Sequence, residues 1–117
     1  MTSLLIVDDH DGFRASARAL LERHGLTVVG EACDGESALR SAAELRPDVV
    51  LLDVQLPDRD GFDVAHELRD VDDPPVVVLT SSRDPTAFGR LIDESEACGF
   101  IPKAELSGER IMTLVTR

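Results

Sequence analysis

Basic side chains are scarce in this 117-residue chain: 12 lysines and arginines stand against 23 aspartates and glutamates, for a formal charge of −11. An anionic surface of that kind repels nucleic-acid backbones and acidic headgroups, which argues against direct nucleic-acid binding by this domain and against membrane-surface attachment. Cysteine is nearly as rare. Cys33 and Cys98 lack CxxC spacing, so no disulfide framework is expected, and both thiols are expected as small core residues in a reducing compartment. No apolar segment reaches the length of a membrane span. The opening Met-Thr-Ser-Leu-Leu-Ile-Val has no basic n-region and its apolar run stops at Asp8, which is not the pattern of a signal peptide. The expected location is cytoplasmic.

Several catalytic signatures are also missing. There is no P-loop, GxGxxG or GxSxG sequence, and "HELRD" lacks the second histidine of a zinc-protease helix. "LPDRDGFDVAHE" matches part of an EF-hand loop at Asp58, Asp60, Gly61 and Glu67. It places Leu56 where the first calcium ligand must be. His10, His24 and His66 share no ligand spacing and are read as surface residues.

What is present is a regular alternation. A hydrophobic fraction of 43% with 30% charged residues describes an ordinary globular chain, and residues 1–117 are read as a single domain with one core. Leu4–Val7 is a short apolar run, followed by Phe13, Ala17, Leu20 and Leu21 at helical spacing up to Gly25. Thr27–Cys33 is a less hydrophobic strand, fit for a sheet edge, and Ala38, Leu39, Ala42 and Leu45 form the next helical stripe. Val49–Leu52 and Val76–Leu79 are further strands, with a helix marked by Phe62, Ala65 and Leu68 between them. Phe88, Leu91 and Ile92 suggest a fourth helix, Gly99–Pro102 a fifth strand, and Ile111, Leu114 and Val115 a last helix. Five β/α pairs, with strands apolar on both faces, call for a doubly wound α/β sandwich around a parallel sheet.

Ligands of such sheets bind beyond the carboxyl ends of the strands. The residues there are polar: Asp8 and Asp9 after the first strand, Asp53 after the third, Thr80 after the fourth and Lys103 after the fifth. Taken alone, Asp8-Asp9 fits a plain strand-to-helix turn, and Lys103 fits a solvated surface lysine. Taken together they form a pocket. Three carboxylates against one ammonium leave a charge of −2, which a divalent ion balances. An all-oxygen donor set points to Mg²⁺ or Mn²⁺ rather than zinc. One carboxylate then remains as a nucleophile toward a phosphoryl group, and Asp53, behind the most apolar strand, is the best placed. The Thr80 hydroxyl and the Lys103 ammonium can donate to phosphoryl oxygens.

The stretches "IVDDH", "VVLLDVQLPDRDGFDV", "VVVLTS" and "GFIPK", in that order, resemble the receiver domain of two-component response regulators, and "VVGEACDGESAL" resembles its NarL/LuxR-type subgroup. The resemblance implies a (βα)5 flavodoxin-like fold with strand order 2-1-3-4-5. It implies that Asp53 accepts phosphate from a sensor histidine kinase in a Mg²⁺- or Mn²⁺-dependent reaction. The metal ligands would be Asp8, Asp9, Asp53 and the backbone carbonyl of Gln55. Thr80 and Phe100 would form the switch pair, Lys103 would contact the phosphoryl group, and the face of helix four, strand five and helix five would change shape for an output or a homodimer partner. No separate substrate is implied, and this chain is expected to carry no output domain. Phe100 stands where many relatives have tyrosine, so it has no hydroxyl to offer. A phosphatase of the haloacid dehalogenase type also uses an aspartate nucleophile with threonine and lysine. It requires a second acid two residues on, and here that position is Gln55.

Overall fold

The computed structural model describes residues 2–95 and 97–116. Strands β1 (Ser3–Val7), β2 (Thr27–Ala32), β3 (Val49–Asp53), β4 (Val76–Ser81) and β5 (Gly99–Pro102) alternate with helices α1 (Asp11–Arg23), α2 (Gly35–Leu45), α3 (Gly61–Arg69), α4 (Leu91–Glu94) and α5 (Gly108–Val115). Short 3₁₀ turns occupy Pro85–Phe88 and Lys103–Glu105. The strands pair in parallel in the order β2-β1-β3-β4-β5. This is the flavodoxin-like arrangement expected from the sequence.

Side chains alternate across each strand, so the continuous apolar runs feed two cores. Leu4, Ile6, Val49, Leu51 and Val78 pack against Ala17 and Leu21 of α1 and Ile111 of α5. Leu5, Val7, Val50, Leu52 and Leu79 pack against Ala38 of α2 and Val64, Ala65 and Leu68 of α3. A fully buried Val, Leu or Ile contributes roughly 1.5–3 kcal/mol, so the runs of β1 and β3 hold the polar residues at their ends in fixed positions. Local signals set the helix starts. Asp34 and Ser37 form a reciprocal capping box on α2, Asp60 accepts from the Phe62 N–H on α3, and Ser107 accepts from the Arg110 N–H on α5.

Three expectations change. The cysteines are exposed rather than in the core: β2 ends one residue before Cys33, and Cys98 precedes the edge strand β5, its Sγ 3.0 Å from the Leu114 carbonyl. The fourth helix shrinks to Leu91–Glu94 because Gly89 takes a positive φ of 58° and separates Phe88 from it, leaving Leu91 exposed. β4 runs on through Thr80 and Ser81, which are fully buried. Hydroxyl side chains are tolerated there because each finds a backbone partner: Thr80 donates to the Ile101 carbonyl, and Ser81 Oγ accepts from the Arg83 N–H.

Candidate functional site

The parallel topology gathers the carboxyl ends of β1, β3, β4 and β5 along one edge, and the polar residues meet there. Asp8 follows β1 directly, and its N–H donates to the Ala32 carbonyl of β2, which continues the ladder into the turn. Asp53 ends β3, pairs with Thr80 in the β3–β4 register, and accepts the Gln55 N–H on Oδ1 at 3.1 Å. Both carboxylates are buried, Asp8 at 0% and Asp53 at 3% exposure. Lys103 stands in the turn after β5 and reaches across them, with Nζ 2.7 Å from Asp8 Oδ2 and 3.3 Å from Asp53 Oδ2.

The shared ammonium does not serve the two acids equally. For Asp8, burial favours the neutral form, but the close Lys103 ammonium and the His10 N–H outweigh it and hold the carboxyl below its usual range. Asp53 is pushed up to about 6, first by burial and further by the negative charge of Asp8, with the Gln55 N–H and Lys103 opposing. Lys103 loses hydration to burial, yet its two carboxylate partners raise its pKa above the ordinary lysine value. A buried carboxylate so poorly compensated favours an added positive charge.

The remaining expected residues take distinct places. Asp9 is exposed at the pocket mouth, its Oδ1 3.1 Å from His10 Nδ1. Gln55 has an exposed side chain and bridges backbone to backbone with Asp60, which closes the loop after Asp53. Thr80 lies beside Asp53, but its hydroxyl is turned to the Ile101 carbonyl at 2.6 Å. Phe100 is half-buried and packs against Phe88, with ring centroids 5.9 Å apart, and Phe88 in turn meets Phe62 at 5.8 Å. Thr80→Val keeps the shape and removes the hydrogen bond. Urea unfolding should show a loss of about 1–2 kcal/mol, the usual cost of one buried bond.

His10 is the residue that sequence reasoning missed. It is exposed, as expected, yet its Nδ1 lies 3.0 Å from Asp8 Oδ1, and ligand atoms of Asp8, Asp9, His10 and Asp53 all fall within 4.8 Å of one another. The only signal in the sequence is its adjacency to the acids. Arg14 carries no such signal. Its guanidinium donates to the Asp8 backbone carbonyl and pairs with Asp11 and Glu31, which ties α1 to the turn that carries the acids. From the other side, the Asp58 carboxylate accepts the Gly35 and Glu36 N–H groups at 2.8 and 3.1 Å, docking the loop after Asp53 on the start of α2. The donor set is dominated by hard oxygens with one imidazole at its rim. It can accommodate a divalent cation of the Mg²⁺ or Mn²⁺ type.

Comparison with known proteins agrees with this geometry. Residues 4–116 match the family model described as the response regulator receiver domain. The response regulator GacA of Pseudomonas syringae is 37% identical over 116 residues, covering 97% of this chain and 54% of GacA. The transcriptional regulatory protein LiaR of Bacillus subtilis is 35% identical over 111 residues, covering 93% of this chain and 52% of LiaR. The signal receiver domain of the response regulator NarL from Mycobacterium tuberculosis superimposes with a TM-score of 0.88 at 32% identity, over 98% of this chain and 96% of that one. The chain thus spans about half the length of the curated relatives GacA and LiaR. Because the likeness runs through every strand and both helical layers, the chain belongs to the response regulator receiver domains, and its relatives are regulators of the NarL/LuxR type.

Proposed function

We propose that this chain is a phosphorylation-controlled receiver in two-component signalling, with Asp53 as the phosphoacceptor and a sensor histidine kinase as the donor. One observation carries the reading: Lys103 lies between two buried carboxylates, Asp8 and Asp53, at the carboxyl edge of a parallel sheet. Asp8, Asp9, Asp53 and the Gln55 carbonyl would hold Mg²⁺ or Mn²⁺, with His10 at the rim. That ion supplies positive charge against the oxygens of an arriving phosphoryl group.

This chain's own residues then have separate tasks. The Asp53 carboxylate attacks phosphorus while the donor's leaving group departs with its bonding electrons. Lys103 stays protonated, since its acid neighbours favour the ammonium, and pairs with a phosphoryl oxygen. Thr80 releases the Ile101 carbonyl and donates its hydroxyl to the phosphoryl group, which draws the end of β4 inward. Phe100 is anchored on Phe88, so movement at β4 repacks this aromatic contact. The α4–β5–α5 face is the surface that changes for an output segment or for a second copy of the chain. A hydrogen bond to a charged group contributes about 1.5–3 kcal/mol. Two such contacts supply most of the roughly 5.5 kcal/mol needed to invert a 1:99 population.

The test uses acetyl phosphate with Mg²⁺, intact mass and peptide mapping. One phosphoryl group should appear on Asp53, vanish in Asp53→Ala and fail to form after chelation of the cation. Equal labelling of wild type and Asp53→Ala would overturn the assignment. An unlabelled wild type would leave the chain an unphosphorylated interaction module.

A further inference from the structure

Phe13 lies on the helical stripe of α1 and, like Leu20 and Leu106, packs against the core under that helix. Its ring has a second neighbour. The Lys103 ammonium sits over it, with Nζ 4.5 Å from the ring centroid. We propose that Phe13 is a positioning residue of the site, whose ring face holds the Lys103 ammonium over the pocket when the carboxylates are taken up elsewhere. The inference rests on the receiver reading above and goes beyond it, because it assigns a role to a residue outside the carboxylate, threonine and lysine set.

Among the described residues, the Lys103 ammonium meets Asp8 at 2.7 Å, Asp53 at 3.3 Å and the Phe13 ring. Two of these contacts would be weakened once a divalent cation is bound. Asp8 and Asp53 are the acids that a divalent cation would occupy, and that cation would repel an ammonium from the same oxygens. A lysine on a flexible four-carbon stem would then swing toward water. The ring attracts the ammonium through its quadrupole and brings no negative charge, so it holds Lys103 without competing for the cation. The side chain of Lys103 is only 15% exposed, and cation–π attraction is strongest where water is displaced. Leucine or methionine would fill the same place in the core without offering a π face. Packing and positioning are therefore separable by substitution.

In the step to be measured, an Asp53 oxygen forms a bond to the phosphorus of acetyl phosphate. The bond from phosphorus to the acetate oxygen breaks, and acetate leaves with the electron pair. At saturating Mg²⁺, Phe13→Leu and Phe13→Met should each slow phosphorylation about 3- to 30-fold, and Phe13→Tyr should stay within about twofold of wild type. In a Lys103→Ala background, Phe13→Leu should change the rate by less than about twofold, since the partner is gone. A second readout needs neither cation nor phosphodonor. The ε-methylene protons of Lys103 should be shifted upfield by the ring in wild type and Phe13→Tyr, and return to ordinary lysine values in Phe13→Leu and Phe13→Met. Equal slowing by Phe13→Leu with or without Lys103 would show a packing role and overturn the proposal, as would unshifted Lys103 resonances in wild type. A wild type that accepts no phosphoryl group overturns this proposal together with the receiver reading. A phosphorylated wild type whose rate is matched by Phe13→Leu and Phe13→Met overturns this proposal alone.

Discussion

Asp53→Asn should be more stable than wild type by roughly 1–3 kcal/mol at neutral pH in the absence of a divalent cation, while taking up no phosphoryl group. The gain follows from the pKa of Asp53, pushed up to about 6 from an ordinary 3.8 by burial and by Asp8. Each tenfold change in proton affinity corresponds to about 1.4 kcal/mol of preference for the neutral form. The sign is set by proton linkage. Between about pH 4 and pH 6 the folded chain holds the Asp53 proton and the unfolded chain has lost it, so rising pH destabilises the fold across that window. Above it the penalty is complete. Asparagine has no proton to lose, so the gap between variant and wild type should open from about pH 4 to pH 6 and then stay level. The amide can still accept the Gln55 N–H on its oxygen, and its nitrogen can donate toward Asp8. Saturating Mg²⁺ should close or reverse the gap, because a cation that binds only the wild-type fold at about one hundred times its Kd adds about 2.7 kcal/mol. Urea titrations at several pH values, with and without Mg²⁺, check each step. A gap independent of pH would mean that Asp53 is not strained by its charge.

Gly61→Ala should cost about 3 kcal/mol or more, at the upper end of overpacking penalties. A Cβ on Gly61 would stand 2.3 Å from the Asp53 carbonyl oxygen and 2.7 Å from the Val54 Cα. These are backbone atoms, so relief requires moving the end of β3 itself. The Gly61 N–H also donates to the Val54 carbonyl at 2.7 Å, which pins the start of α3 against the strand that carries Asp53. The variant should therefore lose melting temperature on the order of 10 °C and take up phosphate more slowly, because Asp53 is displaced. Gly12→Ala is the matched control. It lies in α1 with nothing within 4 Å of an added Cβ, and alanine there should be neutral or better by up to about 1 kcal/mol. Equal melting temperatures for the two alanine variants would contradict the close approach.

Much of this molecule is legible residue by residue. The runs "LLIV", "VVLL" and "VVVL" are apolar at every position, and their shortness and β-branched residues suit strands covered on both faces. The periodic stripes between them require helices on both sides of a parallel sheet, and the acids, threonine and lysine that follow the strands then share one edge. The length of β4 is less legible. Thr80 and Ser81 look like a strand's end in sequence, yet they remain in the ladder because β5 runs alongside both of them and β3 also pairs with Thr80. The fourth helix misleads for the opposite reason: its apolar spacing is sound, but Gly89 breaks the backbone that would join Phe88 to Leu91.

The sheet, its two helical layers and the identity of the polar residues at its carboxyl edge follow from one-dimensional pattern, because burial signals are local and periodic. The division of charge among those residues follows from the folded arrangement. Lys103 lies nearer Asp8 than Asp53, Thr80 faces β5 rather than the pocket, His10 joins the acids and Phe13 meets Lys103. Each of these depends on distances of a few ångströms between segments far apart in the chain or on the bend of one turn, and electrostatic energies change steeply over such distances. The double aspartate after β1 can be read in one dimension. That one of its acids is buried against a lysine and the other open to solvent can be read only in three.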